Sequence, residues 1–302
     1  MSKLTAWVSA ARLRTLPLSI SGILVGTAIA NHYGQSDIFI FILALCTTIA
    51  FQITSNFAND YGDGVKGTDN EDRVGPKRAL QSGLLTRNEL KRGIVITIML
   101  SLILVVSLLY VSFGSENIGY FLLFIFLGCF SVWAAIKYTV GESAYGYRGL
   151  GDVFVFVFFG LLAVLGTLFL NAKFLTLHAL LPAITIGTLS VGVLNLNNLR
   201  DYESDKKAKK NTLVVKMGVK NGKKYHYTLL ALSFICFLAF ILHIYSVWYH
   251  FIPLIAFIPV VLHLKTVYCN NDAKLLDPEL KKLALSTFLL ALLFYISCNN
   301  FL

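Results

Sequence analysis

The stretch IFIFILALCTTIAFQITSNFANDYGD, residues 38–63, begins as unbroken apolar sequence and ends in a cluster of amides and acids. Residues 38–57 carry no charge. A run of about 20 such residues, rising 1.5 Å each as a helix, crosses the ~30 Å hydrocarbon core of a bilayer. Eight more runs read the same way, at roughly 15–32, 94–112, 118–137, 150–170, 177–197, 227–244, 250–268 and 283–300. They are continuously apolar rather than alternating with period two, which excludes the strand pattern of a membrane β-barrel. The composition agrees: 56% of the 302 residues are hydrophobic, 14% are charged, and the mean hydropathy is +0.70. The predicted fold is an all-α polytopic membrane protein with nine transmembrane helices.

Charge placement predicts orientation. With the N-terminus inside, 25 of the 26 Lys and Arg residues fall in inside segments or their flanks, and Lys173 alone falls outside. The positive-inside rule therefore predicts a cytoplasmic N-terminus and an external C-terminus. It also accounts for the net charge of +10 without a nucleic-acid partner. No cleavable leader is expected. Leu4, Trp7, Val8 and Ala11 instead fall at helical spacing beside Lys3, Arg12 and Arg14, the pattern of a short interfacial helix. The five Cys and six His show no metal-ligand spacing and read as structural.

Two inside segments, about 58–93 and 198–226, are long enough for chemistry in water. Each opens on a similar motif: Asn56-Phe-Ala-Asn59-Asp60-Tyr-Gly-Asp63 after the second span, and Asn197-Asn198-Leu-Arg200-Asp201-Tyr-Glu203-Ser-Asp205 after the sixth. Four spans apart with equal orientation, they suggest one domain, 1–302, made of two four-helix halves. The halves would cover about 15–137 and 150–268, with a ninth helix at 283–300.

Residues three and four apart share a helix face, so Asn56, Asp60 and Asp63 are neighbours, as are Asn197, Asp201 and Asp205. Two carboxylates ~5 Å apart repel by about 3 kcal/mol at an effective dielectric of ~20. A cation between them relieves that cost, and Mg²⁺ favours oxygen ligands shared with substrate phosphates. Lys66, Lys77, Arg78, Arg200, Lys206, Lys209 and Lys210 stand by for the remaining phosphate oxygens. The plainer reading, solvated loop charges that satisfy topology, suits the bases taken singly but does not call for the paired aspartates. No Asp, Glu, Lys or Arg falls near the middle of a predicted span, where an ion-coupled transporter would place one. Acids at the rim above an apolar interior suit an amphiphile with a charged head and a hydrocarbon tail.

Asn59-Asp60-Tyr-Gly-Asp63-Gly-Val-Lys66-Gly-Thr-Asp69 and Asn198-Leu-Arg200-Asp201-Tyr-Glu-Ser-Asp205 resemble the two aspartate-rich motifs of the UbiA-type membrane prenyltransferases. Arg14-Thr-Leu-Pro17, Asp72-Arg73-Val-Gly75-Pro76, Tyr145-Gly-Tyr-Arg148-Gly-Leu-Gly-Asp152 and Thr212-Leu-Val-Val resemble the branch that acts on 1,4-dihydroxy-2-naphthoate in menaquinone synthesis. Leu13 and Ala144 depart from prolines common in relatives, which changes loop stiffness more than chemistry. The resemblance covers about residues 10–220. It implies nine helices around a central cavity in a bacterial cytoplasmic membrane, with the active site facing the cytoplasm. It also implies transfer of a polyprenyl chain from its diphosphate to the naphthoate, with decarboxylation to demethylmenaquinone. Asp60, Asp63, Asp201 and Asp205 would hold Mg²⁺ on the diphosphate, helped by Asn59 and Asn198. Lys66, Arg200 and Lys137 would neutralise the leaving group, and Asp69 would assist. Tyr138, Tyr145, Arg148 and Asp152 are candidates for acceptor binding. A sibling enzyme with another aromatic acceptor, and a transporter of an anionic amphiphile, are the competing expectations.

Overall fold

The computed structural model describes residues 2–68, 74–75, 77–245, 247–270 and 272–299. Among them nine helices are long and apolar enough to cross a bilayer: α1 (Lys3–His32), α2 (Ile38–Lys66), α3 (Arg87–Phe113), α4 (Ile118–Lys137), α5 (Gly151–Ala172), α6 (Leu177–Arg200), α7 (Leu213–Ile244), α8 (Trp248–Cys269) and α9 (Ala273–Cys298). All nine expected spans are present. Several helices outrun their apolar runs, because hydropathy falls where charge begins while backbone hydrogen bonding continues. Asn59, Asp60 and Asp63 therefore lie on the last turns of α2 rather than in a loop.

Local chemistry sets the helix ends. Asp37 starts α2 by accepting from the backbone N–H groups of Phe39 (2.7 Å) and Ile40 (3.1 Å). Gly67 ends it in the left-handed region at φ 72°, where residues with a Cβ are penalised. Thr86 and Glu89 form a reciprocal capping box at the start of α3. The leading segment Lys3–Ala11 is helical as expected, but it turns Ala6 and Ala10 inward and leaves Leu4 and Val8 exposed. Arg12, at φ 50°, breaks α1 so that the chain can turn down into the bundle.

Burial separates inner from outer helices. In the most apolar 18 residues of each, 67% of α1 and 61% of α6 are buried against 11% of α4. On α3, Ile96, Met99, Leu100, Ile103 and Tyr110 are exposed at helical spacing, forming an outward apolar stripe that only a lipid environment satisfies. α1 packs against α9, α5 and α2, and α6 against α7, α5 and α9. One apolar core joins α1 with α5–α9, and a second joins α2–α4 with Ile23 of α1 and Leu170 of α5.

Two of the histidines pair across the bundle in a structural role. His226 of α7 and His263 of α8 meet Nε2 to Nε2 at 2.8 Å, and His263 Nδ1 lies 2.6 Å from Glu279 of α9. Residues 37 and 16 positions apart on three helices leave no local spacing to read.

Candidate active site

A cavity of about 560 Å³ opens between the two cores. Its walls are apolar over most of their length, including Val105, Leu109 and Phe124. On α5 the lining runs from Phe154 to Leu170, which spans about 24 Å at 1.5 Å per residue. Part of that wall is a π-helical stretch, Phe156–Leu162, which contributes Phe158, Phe159 and Leu162. Such a widened turn is common beside functional sites. One end of the cavity is polar, with Arg12, Arg78, Asn59, Asp63, Asn198 and Lys210 on its wall.

That end is where the two motifs meet. Close packing brings α2 in: a Cβ on Gly62 would come within 2.8 Å of Thr139, whose hydroxyl donates to the Ala58 carbonyl (3.1 Å). Asp63, Asp201 and Asp205 share a small crevice with Arg78, Asn197 and Lys210. Lys210 Nζ lies 3.9 Å from Asp63 Oδ2 and 4.0 Å from Asp205 Oδ1. Burial pushes the Lys210 pKa down, but the charges of Asp63 and Asp205 outweigh it and hold the group above the ordinary lysine value.

Tyr147 organises the first motif. Its hydroxyl donates to Asp63 Oδ1 (2.8 Å), which leaves the Thr68 hydroxyl (2.5 Å away) to donate to the phenol oxygen. Lys66 Nζ stands 3.9 Å from the ring centroid and Lys210 Nζ 5.3 Å. Burial, then the Asp63 charge, raises the Tyr147 pKa, so the donating proton stays in place. Tyr147 lies inside the stretch Tyr145–Asp152 but was not singled out from sequence. Its spacing matches no helical partner of Asp63, and only the fold joins them.

The second motif is held differently. Asp201 follows the last residue of α6, and Asp205 follows on the short helix Tyr202–Lys207, with the Asp205 N–H donating to the Asp201 carbonyl (2.8 Å). Buried Arg200 donates from Nε and Nη2 to both Asp201 oxygens (2.8 and 2.7 Å). It also donates from Nη2 to Asn197 (2.8 Å) and from Nη1 to Asp277 on α9. Asp277, an acid near the start of the ninth span, was also missed from sequence.

The other expected residues divide. Asn59, Asn198, Tyr138, Tyr145 and Arg200 line the cavity. The Tyr145 hydroxyl is spent on the Ala134 carbonyl (2.8 Å). Asp60 is buried, with Oδ2 accepting from the Ala79 N–H (3.1 Å) and Oδ1 finding no hydrogen-bond partner among the described residues. Lys66 is exposed and leans on Tyr147 rather than the cavity wall. Lys137 ends α4 away from that wall. Arg148 is exposed, and its carbonyl accepts from Lys216 (2.6 Å). Asp152 is buried, and it lies off the cavity wall. Asp69 lies outside the described residues.

Residues 19–296 match the UbiA prenyltransferase family. The chain belongs to that family. This UbiA prenyltransferase is 42% identical, over 97% of its length and 95% of theirs, to proteins of Haemophilus influenzae and Escherichia coli named 1,4-dihydroxy-2-naphthoate octaprenyltransferase. Its fold matches that of an apo UbiA homologue from Aeropyrum pernix (TM-score 0.71, 13% identity, 93% and 97% coverage). It also matches a UbiA homologue from Archaeoglobus fulgidus bound to DMAPP and Mg²⁺ (TM-score 0.61, 16% identity, 95% and 99% coverage). The UbiA prenyltransferase is thus a multi-pass membrane enzyme.

The donor set of this prenyltransferase suits a hard divalent ion. It offers only carboxylate and amide oxygens, and one buried carboxylate oxygen, Asp60 Oδ1, is unpartnered. Among the described residues no group of three acidic, His or Cys side chains is close enough to hold an ion alone.

Proposed function

We propose that this enzyme transfers a polyprenyl chain from polyprenyl diphosphate to 1,4-dihydroxy-2-naphthoate, with loss of the carboxylate, giving demethylmenaquinone in its reduced, hydroquinone form. The observation that carries the reading is the junction of two Asn/Asp helix ends at the polar end of an otherwise apolar cavity. The naphthoate acceptor and the menaquinone pathway rest on the names of the 42%-identical relatives.

The diphosphate sits among Asp63, Asp205, Asn59 and Asn198, and its prenyl tail lies along α5 between Phe154 and Leu170. Asp60, Asp63, Asp201 and Asp205 would hold Mg²⁺, which when bound would supply positive charge beside the diphosphate. The allylic C–O bond breaks with its electron pair leaving on the diphosphate, and Lys210 and Arg78 neutralise the charge that develops there. The apolar wall keeps water from the allylic cation, so the electron-rich ring captures it. The ring carbon bearing the carboxylate forms the new bond, and its bond to the carboxylate then breaks, releasing CO₂ and leaving the electron pair on the ring to restore aromaticity. Tyr138, on the cavity wall beside Asn59 and Asn198, faces the acceptor. Arg148 and Asp152, with no place on that wall, serve the surrounding loop instead.

The basic residues put the polar end on the cytoplasmic side of a bacterial cytoplasmic membrane, with the N-terminus inside and the C-terminus outside. The two Asn/Asp ends also support two four-helix halves plus a ninth helix. The test uses purified protein in detergent with polyprenyl diphosphate, Mg²⁺ and a panel of aromatic acids. Release of diphosphate and CO₂ with dihydroxynaphthoate alone is the expected result. Product with 4-hydroxybenzoate instead reassigns the acceptor, and loss of the reaction only in EDTA establishes the metal requirement.

A further inference from the structure

Lys210 occupies the centre of the acidic junction. Its ammonium stands almost equidistant from Asp63 Oδ2 (3.9 Å) and Asp205 Oδ1 (4.0 Å). A committed N⁺–H···O⁻ bond is shorter, about 2.7–2.9 Å, so the charge is shared between two helix ends and belongs to neither. The side chain is 12% exposed and borders both the acidic crevice and the main cavity.

Its backbone is fixed, and the side chain it carries is a flexible four-carbon stem with a rotatable ammonium. Lys209 takes a left-handed turn at φ 55°, the Lys210 N–H donates to the Asp205 carbonyl (2.8 Å), and the next N–H, on Asn211, donates to the Tyr147 carbonyl (3.1 Å). The neighbouring lysines are placed otherwise: Lys66 lies over the ring of Tyr147, Lys206 leans on the Tyr202 ring, and Lys207 and Lys209 face solvent.

An ammonium and a divalent ion cannot both sit between the same carboxylates, because like charges at that distance repel strongly in a partly buried site. We infer that Lys210 is a resident counter-ion that holds the two acidic helix ends together in the free enzyme. It exchanges Asp63 and Asp205 for the donor's diphosphate oxygens when divalent metal arrives. The inference rests on the diphosphate reading of the site. It makes metal and diphosphate binding cooperative: metal alone must evict the ammonium, whereas metal with diphosphate gives that ammonium a new anion to hold.

The test is calorimetric titration of purified protein in detergent with Mn²⁺, alone and with inorganic diphosphate, on wild type, K210M and K210R. All three are prepared in Mn²⁺ and then stripped by chelation. K210M should bind Mn²⁺ alone about tenfold more tightly than wild type and lose most of the gain that diphosphate confers. Its thermal midpoint should be low after stripping and recover with Mn²⁺, while wild type changes little. K210R, which keeps the charge, should bind Mn²⁺ alone no more tightly than wild type. Equal or weaker Mn²⁺ binding by K210M, an undiminished diphosphate gain in K210M, or tight metal binding by K210R would each overturn the inference. Wild-type turnover is scored separately. Absence of a prenylated product would remove the proposed function while leaving the exchange between Lys210 and metal as measured.

Discussion

The ends of α2 and α6 carry similar motifs and meet at one crevice, yet they are braced in different ways. Asp63 accepts from the Tyr147 hydroxyl and lies near the Lys210 ammonium, which borders the cavity. Asp201 gives both oxygens to Arg200, which also reaches Asn197 and Asp277 and so ties α6 to α9. Asp60 spends one oxygen on a backbone amide and keeps the other unpartnered. Like residues at like spacing have therefore taken on unlike loads. The first motif sets Asp63 on the cavity wall without tying it to another long helix's acid, while the second is tied into the scaffold through Arg200.

This difference has a sharp test in Asp63→Asn and Asp201→Asn. Loss of the Asp63 charge leaves folding contacts mostly intact but removes a carboxylate from the cavity wall where the proposed diphosphate binds. Turnover should fall about 10³-fold or more, with a thermal midpoint near that of wild type. Asp201→Asn strips the two-oxygen partner from a buried guanidinium, so it should lose about 2–3 kcal/mol of stability as well as about 10²-fold in turnover. Thermal unfolding in detergent beside a prenyl-transfer assay separates the two. Equal midpoints for both variants would abolish the distinction drawn between the helix ends.

Much of this was legible beforehand. The nine spans follow from length and charge alone, because a ~30 Å apolar slab demands about 20 apolar residues whatever the tertiary packing. Asp63, Asp201 and Asp205 were recognisable because paired acids at a bilayer rim are costly unless used. Tyr147, Asp277 and the shared position of Lys210 were not, since each depends on contacts between segments remote in the chain. Tyr145 and Asp152 show the converse. Both sit in a suggestive stretch, but the Tyr145 hydroxyl is spent on a backbone carbonyl, and Asp152 is buried off the cavity wall.

Tyr147→Phe sharpens the picture of the first motif at a smaller scale. It deletes one hydroxyl donated to Asp63 while keeping the ring between Lys66 and Lys210. A hydrogen bond to a charged group contributes about 1.5–3 kcal/mol, so kcat/KM for the donor should fall roughly ten- to a hundredfold. Tyr147→Leu, which also removes the ring face under both ammonium groups, should lose more. Equal losses would mean that the ring contributes nothing beyond its hydroxyl.

The smallest effect on turnover should come from Glu279→Gln, which lies on the α9 side of the second motif. Glu279 is 5% exposed and binds His263 through one oxygen and Lys282 through the other, and His263 in turn meets His226. These bonds join α7, α8 and α9 without lining the cavity. The substitution keeps shape and replaces a charged acceptor by a neutral amide, so two charge-assisted bonds weaken together. Stability should fall by about 1–3 kcal/mol, while kcat/KM stays within about threefold of wild type. Because Asp277 stands two residues away on the same first turn of α9, any larger loss of turnover would have to pass through Arg200 to Asp201. Such a loss would extend the structural role of the second motif into α9, and a double variant with Asp201→Asn would then be less than additive.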